Sequence, residues 1–343
     1  MSYLIAEIGQ NHNGSVDLAK LIIDLTSREI IDKFDSTKVK GIDAVKLTKR
    51  DLQNELSASE MNRKYESIHS FGKTYGQHRE YLELNDEQHL EIYNYAKSKD
   101  LDFVETLCGI NCLSLLKLFL PDKLKVASRD LTNLPLLEAM AETNIPIILS
   151  TGMSGLSEIH DAVNSISKFH DKISILHCLS QYPAEYQNIN LKSIYFLKKE
   201  FPNYKIGYSD HSIGISIPTA AVAMGAEIIE KHVTIDRDLK GSDHKGSLSV
   251  VGIEKMVRDI RNLERALGKE TLFESEAIKE TKLKLERSLA SNCPIKKGEL
   301  ITIDKLHLLS PGTGFKWNQK DLVLNKKAKM TISKDEIINK EHI

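Results

Sequence analysis

The stretch PIILSTGMSGLSEIHDAVNSISKFHDKISILHC, Pro146–Cys178, decides the fold. It opens on a short apolar run, Pro146–Ser150, and closes on another, Ile173–Cys178. Both have the length of strands. Between them Ile159, Val163 and Ile166 recur at helical spacing on one face. A strand, a helix and a second strand in so short a span form a parallel crossover unit. Working outward, further strand-like segments occur at Tyr3–Ile8, Ala44–Thr48, Leu101–Thr106, Leu124–Ser128, Ile206–Ser209 and Glu227–Val233. Helical patterns separate them. Leu18, Leu21, Ile22 and Leu25 share one face, as do Cys112, Leu115, Leu116 and Phe119. The last face runs Ile253, Met256, Val257, Ile260, Leu263 and Leu267, closed by Gly268 at a helix C-cap position. Asn85 with Gln88, and Asn133 before Pro135, read as helix starts. Eight such units in about 265 residues meet the requirement of a (β/α)8 TIM barrel. A doubly wound sheet would carry a Gly-rich nucleotide loop after an early strand, and no GxGxxG or GxxxxGKS is present.

Two stretches break the repeat. Lys49 to Leu84 is too long for a simple connection, and connections of that length are usually functional or disordered. After Gly268 comes a charged segment read as a helical linker, residues 269–286. Residues 287–343 then show short apolar pieces and the turn signals Lys297-Gly298, Pro311-Gly312 and Thr313-Gly314. That texture is a small β-rich domain following a barrel of residues 1–268.

Composition excludes several functions. The 343 residues are 41% hydrophobic and 28% charged, as in an ordinary globular protein. Lys+Arg is 47 against Asp+Glu 48, so no cationic excess is available to coat nucleic acid. No apolar run is long enough to span a membrane, and the N-terminus lacks the basic region of a secretory signal. The four cysteines make no disulfide framework, and Cys108 with Cys112 reads as two positions on one helix face. The expectation is a cytoplasmic protein.

A barrel of this kind works at the C-terminal ends of its strands. There the apolar segments turn polar, at Glu7, Lys46, Thr106, Lys125, Ser128, Ser150, His177, Ser209, His211 and His232. Alternation along a strand assigns Ile5/Glu7, Ala44/Lys46, Val104/Thr106, Ile148/Ser150, Ile175/His177, Gly207/Ser209/His211 and Ile228/Glu230/His232 to single faces. If those faces point inward and Lys125 joins them, two lysines, two glutamates, hydroxyls and three histidines converge, a costly burial unless they bind one another or a ligand. Lys46 and Lys125 need anionic partners. Thr106, Ser128, Ser150 and Ser209 either cap the following helices or line a phosphate site. His211 and His232, on adjacent strands, have the spacing of imidazole ligands to a divalent metal. Asp243, in GSDHKGS, is either a loop-capping residue or a substrate ligand. The chemistry that results is a small anionic, phosphorylated substrate held by lysines beside a Lewis-acidic metal, with addition to an aldehyde favoured over acyl transfer.

At these residues the sequence resembles the sialic acid synthase family, which condenses phosphoenolpyruvate with an N-acetylated amino sugar to a nonulosonic acid. The motifs are AEIGQNHNG (Ala6–Gly14), GIDAVKL (Gly41–Leu47), KVAS (Lys125–Ser128) and PIILSTGMS (Pro146–Ser154). They continue with LHCLSQYPA (Leu176–Ala184), IGYSDHSIG (Ile206–Gly214), IEKHVT (Ile229–Thr234) and GSDHKGSL (Gly241–Leu248). The tail between Ile295 and Phe315 resembles the antifreeze-like SAF domain of that family.

The resemblance implies that His211 and His232 bind manganese, with magnesium or cobalt as alternatives. It implies that Lys46, Thr106, Lys125, Ser128, Ser150, Ser180 and Ser209 hold phosphoenolpyruvate, and that Glu7, Asp130, Tyr182 and Asp243 hold or act on the sugar. It also implies a domain-swapped homodimer. Four positions depart from the pattern. Asp130, preceded by Arg129, replaces a glutamate; Thr48 replaces a glutamine; Ser180 replaces an asparagine; Ser310 replaces the arginine of Arg-Pro-Gly. These changes open the acceptor to sugars other than N-acetylmannosamine, such as precursors of legionaminic or pseudaminic acid. The other readings are a related phosphoenolpyruvate-dependent barrel, such as an octulosonate-phosphate synthase, or a non-catalytic sugar-binding relative.

Overall fold

The computed structural model describes residues 1–31, 36–272 and 275–343. Phe273 and Glu274 of the expected linker lie outside them. The chain divides into two compact units, Met1–Gly268 and Lys269–Ile343.

The first unit is a closed barrel of eight parallel strands. They are β1 (Tyr3–Gly9), β2 (Ala44–Lys49), β3 (Asp102–Leu107), β4 (Lys123–Val126), β5 (Ile147–Ser150), β6 (Ile173–Cys178), β7 (Lys205–Asp210) and β8 (Ile228–His232). Around the ring they follow chain order, with β8 closing onto β1 and β1 onto β2. Each expected strand is present, so the TIM-barrel reading stands.

The helices form where the patterns predict. Asn85 and Gln88 make a reciprocal capping box at Asp86–Ser98. Pro135 sits in the first turn of Leu134–Glu142, where its missing N–H costs nothing. Gly268, at φ +57°, ends Val250–Ala266 in a left-handed turn. That last helix seals the base of the barrel through buried Arg261, which donates to the carbonyls of Ser2 (2.8 Å) and Gly41 (3.2 Å) and pairs with Asp43 (3.1 Å). One expectation is corrected here. Ile110–Lys117 is a 3₁₀ helix, and Cys108 lies before it, just past β3, so the two cysteines do not share a helix face. None of the described helices is long and apolar enough to cross a membrane.

Strand alternation builds the interior in layers. Ile5, Ala44, Val104, Ile148, Leu176 and Ile228 form an apolar plug inside the ring. The alternate residues pack outward against the helices in a much larger core. Lys49–Leu84 is ordered into two helices, Ala58–Met61 and Tyr75–Leu82, with Tyr65, Tyr75 and His78 packed ring on ring.

In the second unit Ser288–Ser291 pairs antiparallel with Leu306–Leu309. Its core is small: Leu289, Ile295, Ile301, Leu306, Val323, Ala328, Ile332 and Ile338. Helix Lys279–Leu285 precedes it, and Ser310 Oγ donates to the Leu285 carbonyl at 2.8 Å.

Candidate active site

One layer above the apolar plug, the inward positions turn charged. Lys46, Glu7, Lys125 and Glu230 are 4%, 4%, 2% and 5% exposed, so four ionisable groups stand almost dry inside the barrel. Their arrangement follows from register: Glu7 lies level with Lys46 on one side and His232 on the other, and Thr106 lies level with Lys125. Lys46 Nζ pairs with Glu7 at 2.9 Å and donates to Thr106 Oγ1 at 3.0 Å. Lys125 Nζ donates to Ser150 Oγ at 2.7 Å. Glu230 Oε1 accepts from Ser209 Oγ at 2.9 Å. Its other oxygen has no hydrogen bond and faces Lys46 at 3.8 Å and Lys125 at 3.9 Å.

These contacts split the four groups electrostatically. Burial pushes the Glu7 carboxyl up to about 7, against the pull of Lys46. Burial acts the same way on Glu230, but Lys125 and Lys46 together overcome it and hold that carboxyl low. Lys46 keeps its proton despite burial because Glu230 and Glu7 both face it. Lys125 is pulled down by burial, with Lys46 adding to the effect. The pair of carboxylates is thus one firm anion and one group that exchanges a proton near neutrality.

A cavity of about 340 Å³ opens over this layer. Of the expected residues, Glu7, Lys46, Thr106, Lys125, Ser128, Ser150, Ser180, Tyr182, Ser209, His211, His232 and Asp243 all line it. Asp130 does not. It lies behind Arg129, whose Nε is 3.4 Å from its carboxylate, and the 3₁₀ turn Ser128–Asp130 after β4 brings Ser128 and Arg129 to the wall instead. His177 is the second displacement. The inward residues of β6 are Leu176 and Cys178, and His177 points outward, with Nε2 2.6 Å from the Ile189 carbonyl. The segment ISILH is apolar on both faces, as buried parallel strands are, so its alternation does not choose a side.

His211 and His232 converge with Tyr182. The imidazole centroids are 5.6 Å apart, and the Tyr182 ring lies 4.0 Å from that of His211. His211 Nδ1 is 2.8 Å from the Leu179 carbonyl, which can only accept, so the hydrogen is on Nδ1 and Nε2 keeps its lone pair. His232 Nδ1 is buried without a partner, and burial disfavours protonation of that ring. Two converging imidazoles, one of them oriented by the Leu179 carbonyl, fit what a divalent metal demands of its nitrogen ligands. Among the described residues no group of three or more His, Cys, Asp or Glu side chains is arranged to hold a metal. A second cavity of about 300 Å³ shares Tyr182, His211, His232, Ser242 and Asp243 with the first.

Several wall residues escaped sequence reasoning. Arg50 continues the Lys46 face by alternation past Thr48, itself named only as a departure from the family pattern; Tyr75 comes from the long insertion; Cys178 lies 3.8 Å from His211. Behind the rim, fully buried Lys231 pairs with Asp210 at 2.6 Å and also donates to the Ser212 carbonyl. Asp210 in turn receives the Ser212 N–H at 2.9 Å, which fixes the backbone on either side of His211.

Buried ammonium and carboxylate groups meeting paired imidazoles above a closed parallel sheet mark the barrel as an enzyme. The comparisons narrow that class. The chain belongs to the NeuB family, matched over residues 34–271, and residues 286–343 match the SAF domain. It is similar to the N,N'-diacetyllegionaminic acid synthase of Campylobacter jejuni, 34% identical across 98% of both chains. It is also similar to the human N-acetylneuraminate-9-phosphate synthase, 33% identical over 99% of this chain and 92% of that one. The crystal structure of an N-acetylneuraminic acid (sialic acid) synthetase from Leptospira borgpetersenii, in complex with citrate, superposes with a TM-score of 0.68 at 32% identity. That match covers 82% of this chain and 90% of the Leptospira chain. The sequence resemblance is therefore borne out, and the chain is a synthase-type enzyme.

The Lys231–Asp210 pair generates a prediction. Lys231→Met leaves Asp210 buried without its counter-ion and should cost about 3–5 kcal/mol of stability, read from urea unfolding. A change below about 1 kcal/mol would mean the pair does not hold the rim.

Proposed function

We propose that the protein condenses phosphoenolpyruvate with an N-acetylated amino sugar, giving a nonulosonic acid and inorganic phosphate. The observation that carries this reading is the pair of buried lysines, each hydrogen-bonded to a hydroxyl and neither hydrogen-bonded to Glu230. Such ammonium groups can turn to an incoming phosphate and carboxylate at little cost in desolvation, because they are already dry. Ser128 and Ser209 line the same wall and add donors. His211 and His232 would hold a divalent ion, manganese by resemblance, which when bound polarises the acceptor carbonyl as a Lewis acid.

The chain's own residues supply the remaining steps. Lys46 and Lys125 fix the donor so that its methylene carbon faces the acceptor's aldehyde carbon, where the new C–C bond forms. Water adds to the cationic carbon left behind, and Glu7 takes a proton from it. The same carboxyl returns that proton to the alkoxide left at the former aldehyde oxygen, as a group that titrates near neutrality can. The C–O bond to phosphate then breaks, the water-derived hydroxyl gives its proton to the departing phosphate as the ketone forms, and the lysines stabilise that anion. Tyr182 and Asp243, on the imidazole side of the cavity, are placed to hold the sugar. We further propose that the enzyme is a domain-swapped homodimer, as the family resemblance implies, and that it is cytoplasmic.

Three outcomes test this reading. Phosphate release from phosphoenolpyruvate with N-acetylmannosamine or a related amino sugar should stop with a chelator and return with manganese. His232→Ala should lose roughly 100-fold or more in turnover and in manganese binding while keeping its circular dichroism; release that ignores the chelator overturns the metal. Lys125→Ala should raise the KM for phosphoenolpyruvate roughly 10- to 100-fold, and far more than that for the sugar; equal effects on both contradict the donor site. Glu7 acts as a base when ionised, and burial raises its pKa, so kcat/KM should climb with pH through a region above the ordinary carboxylate range. Glu7→Gln should remove that limb, and an unchanged pH profile assigns the proton elsewhere.

A further inference from the structure

The cavity wall carries its cations in two tiers. On β2 and its extension the alternation Lys46, Thr48, Arg50 faces the cavity, and beside it, past β3, Lys125, Ala127, Ser128 and Arg129 line it, the last two from the 3₁₀ turn Ser128–Asp130. Arg50 stands four residues above Lys46, up to about 13 Å further toward the mouth in extended chain. Arg50 and Arg129 flank the end of β3, and Arg129 Nη2 lies 2.9 Å from Cys108 Sγ.

Neither guanidinium is used up by the protein. Arg50 is 8% exposed, and its side chain makes no hydrogen bond among the described residues. Its closest carboxylate, Glu83, is 3.7 Å away, pairs also with Lys49, and accepts the Arg50 backbone N–H. Arg129 pairs with Glu55 at 2.8 Å, but Glu55 is shared with Arg79 at 2.6 Å, and Arg129 Nη1 has no partner among the described residues. Of the groups lining the cavity, Lys46, Arg50, Lys125 and Arg129 are cations against Glu7, Glu230 and Asp243. In the ring β3 stands opposite β7, so the arginine tier faces the imidazole pair across the mouth.

We propose that Arg50 and Arg129 form a second anion subsite, and that the acceptor sugar carries a carboxylate or phosphate at the end remote from its aldehyde. The proposal rests on the synthase reading above. With the aldehyde end at the imidazoles and the donor on the lysines, the far end of an acceptor crossing the mouth meets the two arginines. Planar guanidiniums suit a carboxylate or phosphate; a neutral hydroxyl there leaves buried Arg50 without an anion to hydrogen-bond, while Arg129, 38% exposed and already paired with Glu55 and Asp130, still offers Nη1.

The experiment compares N-acetylmannosamine, its 6-phosphate and its 6-carboxylate. Binding of each sugar alone is measured by calorimetry, and turnover by phosphate release from phosphoenolpyruvate. Both anionic sugars, or one of them, should bind about 10-fold or more tightly than the neutral sugar, and which does so separates phosphate from carboxylate. Arg50→Gln and Arg129→Gln should each abolish that preference without a matching rise in the KM for phosphoenolpyruvate. Arg129→Lys, which keeps the charge beside Glu55, should retain part of it, and a matching melting temperature shows that the variants are folded. Equal binding of neutral and anionic sugars, or a preference that survives both glutamine variants, overturns the proposal. Equal rises in the KM for donor and acceptor also overturn it and place the arginines in the donor site. If no sugar of any charge releases phosphate, the synthase reading fails, while the binding titration still decides the subsite.

Discussion

The constraint on which the site depends is charge neutrality in a dry place. Two ammonium groups and two carboxylates sit on the cavity floor at most 5% exposed, and any one left alone would cost several kcal/mol. They are tolerated because each faces an opposite charge, and Lys46, Lys125 and Glu230 each a hydroxyl as well. Neutrality here is not rigid. The Lys46–Glu7 contact is tight, while Glu230 reaches both lysines only at 3.8–3.9 Å. An arriving anion therefore competes with a loose partner rather than with the tight Lys46–Glu7 contact.

The same economy of buried charge appears outside the ring. Lys231–Asp210 and His89–Glu105 lie between the strands and the helices, where the alternate faces of β7, β8 and β3 point. They hold strand ends rather than substrate. Along β8 the residues Glu230, Lys231 and His232 thus serve different surroundings in turn, the first and third in the cavity and the second behind it. One residue of slippage would bury the wrong charge on each side, so these pairs also fix the register.

Most of this was legible in the sequence because barrel strands impose alternation. Glu7, Lys46, Thr106, Ser209 and Glu230 are reached by counting in twos from apolar residues. Where both faces are apolar, as in Ile173–Cys178, counting has no anchor, and His177 was assigned inward although Cys178 faces the cavity. Asp130 illustrates a different limit. Its assignment came from a motif, and the 3₁₀ turn Ser128–Asp130, where alternation ends, presents Arg129 in its place. Arg50 required only two more steps along the Lys46 face, past the end of the apolar segment that marked the strand. Tyr75 and Glu55 were out of reach, since nothing local in Lys49–Leu84 states where an irregular connection folds back.

This difference between strands and loops bears on how the enzyme selects its substrates. Groups on the strands, one layer above the plug, are fixed by the register of the whole barrel and cannot move without disturbing it. They suit the part of the reaction that does not vary, the binding of a doubly anionic donor and the handling of its phosphate. Arg50, Arg129 and Tyr75 stand on or against connections, and Glu55 links Arg129 to helix Tyr75–Leu82 through Arg79. Substitution there changes the upper wall while leaving the lysine layer intact. The four departures from the family pattern divide along the same line. Thr48 lines the upper wall, Ser180 lies past the end of β6, and Arg129-Asp130 forms the turn after β4, so three of the four alter the rim of the cavity. A barrel that keeps its lower tier and rebuilds its rim keeps its reaction and changes its acceptor.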